Sequence, residues 1–167
     1  DIPGSPFTLS NSLPVMIIST NVKVSVTELM VSIDSLNIVL KESGLIFTAQ
    51  KEFYANFRVR NINQAGSLTC KGNAALGLTF RAGSMPQVAE VSSRNFVTGI
   101  MAIEDNTIVQ ITDYDFNIVF AGSSLSNLDT INILLNKNES YVVSGYTDVI
   151  ANQQGFVGAL IESDKPI

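Results

Sequence analysis

The residues whose spacing could support chemistry are carboxylates. Three close pairs stand out: Glu104 with Asp105, Asp113 with Asp115, and Glu162 with Asp164. Two carboxylates a few ångströms apart can act on a glycosidic bond as acid and nucleophile, or can chelate calcium when backbone carbonyls join them. Residues two apart on a strand share a face, so Asp113, Asp115, Glu162 and Asp164 are the calcium candidates. No EF-hand spacing and no Gly-Asp repeat accompanies them, so solvated turn carboxylates are expected. No catalytic residue and no cofactor is expected, calcium being the one candidate.

The remaining composition narrows the chemistry further. Histidine and tryptophan are both absent from the 167 residues, which removes the commonest general base and any Ser–His or Cys–His nucleophilic pair. Cys70 is the single cysteine, so no intrachain disulfide and no thiolate metal site can form, and a plain buried small residue is expected there. The Gly72-to-Gly77 spacing lacks the Lys-Ser/Thr that a phosphate loop requires. Lys51, Arg58 and Arg60 with Tyr54 make a small mixed patch on the polar face of a predicted strand. A net charge of −5 excludes a phosphate-seeking surface, so nucleic acid is not an expected partner. No apolar run approaches the ~20 residues of a membrane-spanning helix, and the first residues lack the form of a signal peptide. A soluble chain without the familiar hydrolase machinery is the expectation.

Positioning these residues falls to strands. The hydrophobic rhythm has period two at Val22–Val26, Phe53–Val59 and Thr107–Thr112. Short apolar runs at Leu13–Ile18, Leu36–Leu40, Leu45–Thr48, Phe96–Ile103, Phe116–Phe120, Ile131–Leu135, Tyr141–Ser144 and Phe156–Ile161 predict further strands. Turn residues at Lys41–Gly44, Glu104–Asn106 and Asn136–Glu139 separate them. Helix is expected only as a turn around Asp148–Asn152 and a short piece near Gln64–Leu76. The fold class is therefore all-β, an antiparallel sandwich of jelly-roll-like form.

The chain also resembles itself. Ser19–Glu28 lines up with Glu104–Asp113, Ser35–Leu40 with Thr130–Leu135, and Leu45–Thr48 with Tyr141–Ser144. Two degenerate β repeats follow as an expectation: residues 1–62 as a first unit, 63–95 as a Gly- and Ala-rich connector packed on the sandwich, and 96–167 as a second unit.

Local motifs in the second half carry a family resemblance. Lys71–Gly83 is followed by Asn95-Phe96-Val97, Met101–Thr107, Leu135–Tyr141 and Gly155–Ile167, which ends Ser-Asp-Lys-Pro-Ile. In that order, over residues 53–167, the chain resembles the IgGFc-binding protein N-terminal-like domain, in the form found in large secreted Bacteroidetes proteins. The resemblance implies export by type IX secretion, a parent with a gliding-motility-associated C-terminal sorting domain, and a further strand after Ile167. It also implies a non-enzymatic module at the cell surface, acting in adhesion or surface attachment, with a protein or glycan surface ligand or neighbouring modules of the same protein as partners. Two alternatives remain open: a structural stalk joined by strand-edge pairing, and a carbohydrate-binding module, which the lack of Trp disfavours. The bacterial resemblance further suggests O-glycosylation at Asp-Ser/Thr-aliphatic triplets, which here are Asp34-Ser35-Leu36 and Asp129-Thr130-Ile131.

Overall fold

A computed structural model describes residues 31, 33–41, 55–61, 64–83, 95–122 and 128–167. The chain divides into two compact units, residues 1–30 with 43–75 and residues 31–42 with 76–167. In the first, β2 (Ala55–Asn61) and β3 (Gln64–Cys70) form an antiparallel hairpin, followed by a 3₁₀ turn at Gly72–Ala75. Asn56 ties the hairpin laterally, its amide donating to the Ser67 and Thr69 hydroxyls and the Leu68 carbonyl.

The second unit is a sandwich of two antiparallel sheets. One has the order β1 (Val39–Leu40), β8 (Ser140–Tyr146), β5 (Asn95–Met101). The other has the order β4 (Thr79–Arg81), β9 (Leu160–Ser163), β6 (Thr107–Thr112), β7 (Ile131–Leu135). Alternation decides what each strand buries. On β6 the residues Thr107, Val109 and Ile111 point inward and stand opposite Leu135, Ile133 and Ile131 of β7. Phe80, Ile161 and Ile111 continue one row across β4, β9 and β6. The facing sheet contributes Phe96, Ile100, Tyr141 and Val143, so one continuous core lies between the layers. At the expected ~25 cal/mol per Å² of apolar surface, each fully buried Val or Ile contributes about 2 kcal/mol.

One close approach sets the spacing at the edge of this core. Gly145 stands opposite Phe96, and a Cβ there would lie 2.7 Å from the Phe96 ring and 2.8 Å from the Asn152 amide nitrogen. Only glycine leaves room for the ring, which stacks on Phe156 at 4.8 Å and meets Phe120 edge-on at 6.4 Å.

The all-β sandwich agrees with the sequence expectation, and β6, β7, β8 and the Ile150–Gln153 3₁₀ turn fall close to their expected places. Four local expectations are corrected. Gln64–Leu76 is helical only in the 3₁₀ turn Gly72–Ala75: its first part is β3, whose partner is β2. Phe116–Phe120 is no strand, because its backbone bonds to a side-chain amide and not to a neighbouring strand. In Leu36–Leu40 only Val39 and Leu40 pair as strand, since Asn37 takes a left-handed φ of 56°. In Phe156–Ile161 the strand begins at Leu160, after a turn that ends with Gly158 at φ 87°. Thr79–Arg81, inside the expected connector, forms β4. The strands expected at 13–18, 22–26 and 45–48, and with them most of the proposed duplication, lie outside the described residues.

Candidate functional site

Strand direction gives the sandwich two unlike ends. At one, short turns join β5 to β6 and β7 to β8, and the segment after β9 runs alongside them. The turn residues there bond chiefly to each other. Asp105 Oδ1 accepts from the Lys137 amide at 3.0 Å, Asn136 Oδ1 from the Asn106 amide at 3.2 Å, and Glu139 Oε2 from the Asn136 amide at 2.8 Å. Asp164 Oδ1 accepts from the Ile108 amide at 2.7 Å, and the Lys165 ammonium donates to the Asp105 and Asn106 carbonyls. Asn106 and Asn138 supply the left-handed φ values, 54° and 69°, that such turns need. Ile167 and Gly77 then exchange both backbone hydrogen bonds, at 3.0 and 3.3 Å. The Glu-Asp-Asn-Thr and Ser-Asp-Lys-Pro-Ile motifs therefore staple turns together.

At the other end, the segments 113–122 after β6 and 147–159 between β8 and β9 are long and lie on each other. Asn152 joins them. Fully buried, it donates to the carbonyls of Val119 at 2.7 Å and Tyr146 at 2.8 Å, and its Oδ1 accepts from the Val119 amide at 2.9 Å. The Asp115 amide donates to the Gly155 carbonyl at 2.9 Å, while the Asp115 carboxylate closes a turn by accepting from the Asn117 amide at 2.8 Å. Gly155 is required here, since a Cβ would stand 2.4 Å from the Ala151 carbonyl oxygen and 2.7 Å from Asp115 Cβ. Beneath these segments Tyr114, Phe120 and Phe156 pack together, with Tyr114 edge-on to Phe120 at 5.6 Å. Burial, aided by the Asp129 carboxylate, pushes the Tyr114 phenol above its ordinary value. Above them Phe116, Val119, Ile150 and Val157 are exposed.

The carboxylates singled out by spacing are dispersed among separate tasks. β6 ends at Thr112, so Asp113 and Asp115 occupy a turn and not a strand face. Asp113 is ion-paired with Arg81 at 2.7 Å, and Arg81 also donates to the Gly158 carbonyl at 2.9 Å. Glu162 is exposed on β9 beside Gln110, and Asp164 follows the strand as a backbone acceptor. Among the described residues no three Asp, Glu or Cys side chains gather where they could hold one metal ion. Ser35 ends a 3₁₀ turn and Thr130 precedes β7, both half-buried, with the aliphatic residue of each triplet, Leu36 and Ile131, buried. Arg58 and Arg60 lie on β2, while Lys51 and Tyr54 lie outside the described residues. Cys70 is exposed, against the expectation of burial, because it ends the β2–β3 hairpin.

Spacing did not point to Phe116, Val119, Ile150 and Val157. The one available signal was their company: apolar residues interleaved with Asp, Asn, Gln and Gly, a mixture that suits ordered loops better than strands.

Comparison with known proteins bears on the same segments. A family profile described as IgGFc binding protein matches residues 65–167, more than half of the chain. Curated proteins and solved structures give no significant match.

Proposed function

Because the chain belongs to the IgGFc-binding protein family, we propose that it is a non-enzymatic, extracellular β module that attaches a larger surface protein to its target through the long-loop end of the sandwich. The observation that carries this reading is the contrast between the two ends. The short turns consume their polar groups internally, whereas the long loops are held in one shape and still expose large apolar side chains. Loops held on a rigid sandwich are where such folds carry recognition, and a preordered surface loses little entropy on binding. Family membership supports a protein ligand, and the type IX secretion and bacterial-surface context expected from the sequence belongs to the same reading. No helix of the described residues is long and apolar enough to cross a membrane.

The test is a binding screen of the purified chain against cell-surface proteins, immunoglobulin Fc and a glycan array, run with calcium and again with chelator. Saturable binding to a protein, unchanged by chelator, is expected. A ligand lost on chelation would return the acidic turns to the site. Absence of any ligand would overturn the recognition reading in favour of a spacer.

A further inference from the structure

The long-loop end also constrains the chemistry of its partner, an inference that rests on the recognition reading above. Its exposed apolar residues are large: Ile150 is 75% exposed, Phe116 51%, Val119 46% and Val157 41%. They project from two segments that the Asn152 amide and the Asp115–Gly155 hydrogen bond hold together, so they form part of one ordered surface. By contrast, the turns 102–106 and 136–139 and the segment 164–167 leave no large apolar side chain exposed.

Charge is equally one-sided. Neither 113–122 nor 147–159 contains a Lys or Arg, while Asp113, Asp115 and Asp148 are all exposed. Arg81 neutralises Asp113, which leaves Asp115 and Asp148 as the surplus. A chain of net charge −5 reinforces the field. Such a surface repels phosphate-bearing partners, both nucleic acid and anionic lipid. It also suits a sugar poorly, because among the four exposed residues only Phe116 offers a ring to stack on. We propose that the long-loop end docks a protein surface with an apolar centre rimmed by Lys and Arg. Apolar contact supplies the affinity, and the rim charges set orientation and association rate, so binding weakens as salt rises.

The probe is a labelled peptide of alternating Leu and Lys, with a Leu/Glu peptide as counterpart, titrated against the intact chain at two salt concentrations. The account predicts saturable, salt-weakened binding of the Leu/Lys peptide only. The double variant Phe116→Ser, Ile150→Ser lowers affinity by about tenfold or more. Asp148→Lys lowers it by a few fold, and Glu104→Lys at the turn end leaves it unchanged. Circular dichroism checks the fold of each variant, and Ile150→Ser alone, at a highly exposed position, must shift affinity in the same direction. Equal binding of the Leu/Glu peptide, equal losses for Glu104→Lys and Asp148→Lys, or full affinity in the double variant would each overturn the proposal. A protein ligand from the wider screen that binds wild type and double variant alike removes this surface and leaves recognition standing. A screen without any ligand removes the recognition reading itself.

Discussion

Asn152 occupies the position in this molecule where a neighbouring strand would otherwise sit. Its side chain satisfies both backbone groups of Val119 and the carbonyl of Tyr146 from a fully buried position. Asn152→Ala would leave both backbone groups of Val119 without this partner and the Tyr146 carbonyl with only the Val149 amide at 3.4 Å, and is expected to cost about 2–4 kcal/mol, read by urea unfolding. Gly155→Ala drives a methyl into the Ala151 carbonyl and should destabilise by about 1–3 kcal/mol in the same assay. Tyr141 is a second single-residue anchor: its hydroxyl donates to the Asn37 carbonyl at 2.8 Å, and burial pushes its phenol up to about 12. The unfolded phenol titrates near 10, so between those values the unfolded chain loses a proton that the folded chain keeps. Stability from this group is complete below about pH 10 and is lost as pH rises toward about 12. Unfolding curves across that window should show the fall in wild type and a smaller one in Tyr141→Phe. Neither Asn152 nor Asn37, whose buried amide donates to the Ala121 carbonyl at 2.6 Å, was readable as an anchor from sequence, because an amide's worth depends on which backbone groups the tertiary fold brings to it. Asn37 and Asn152 look like any turn residues until β8 and the 116–121 segment are in place.

The strands were readable where alternation alone decides them. Thr107–Thr112 and Ile131–Leu135 alternate over their whole length, pair in the register that turns every second residue inward, and are the centre and edge of one sheet. Ile111→Ala and Ile108→Ala, three residues apart on one strand, should therefore differ sharply. The buried residue is expected to cost about 2–4 kcal/mol and the exposed one under about 0.5, by thermal or chemical unfolding. Misread elements share a cause. Phe116–Phe120 has the composition of a strand, and Ile118 and Phe120 are indeed buried, but its backbone amides go to Asp115 and to the Asn152 side chain and not to a neighbouring strand. Gln64–Cys70 lacks an alternating apolar pattern, so only its pairing with β2 reveals a strand. Two of the motifs that carried the family resemblance, Met101–Thr107 and the Ser-Asp-Lys-Pro-Ile ending, proved to be stapled turns at one end, where left-handed asparagines and short carboxylates satisfy backbone amides, while Gly155–Gly158 lies in the long loop at the other. They identify the fold by the physical demands of its turns and close approaches, and of the exposed residues at the long-loop end only Val157 falls within them.

At the scale of the whole molecule, acidity and asymmetry matter more than any one side chain. The sandwich unit holds one core between two sheets, leaves one end closed by polar turns, and presents at the other an ordered apolar surface whose segments 113–122 and 147–159 carry no Lys or Arg. That distribution is what the sandwich unit offers a partner. The family to which the chain belongs supports a protein ligand for it. The most direct measurement is biolayer interferometry of the intact chain against a panel of surface proteins and immunoglobulin Fc, beside the Phe116→Ser, Ile150→Ser variant. The account predicts saturable binding to a protein by wild type and a loss of about tenfold or more in the variant. Binding undiminished in a folded variant, or none to any protein by wild type, would contradict it.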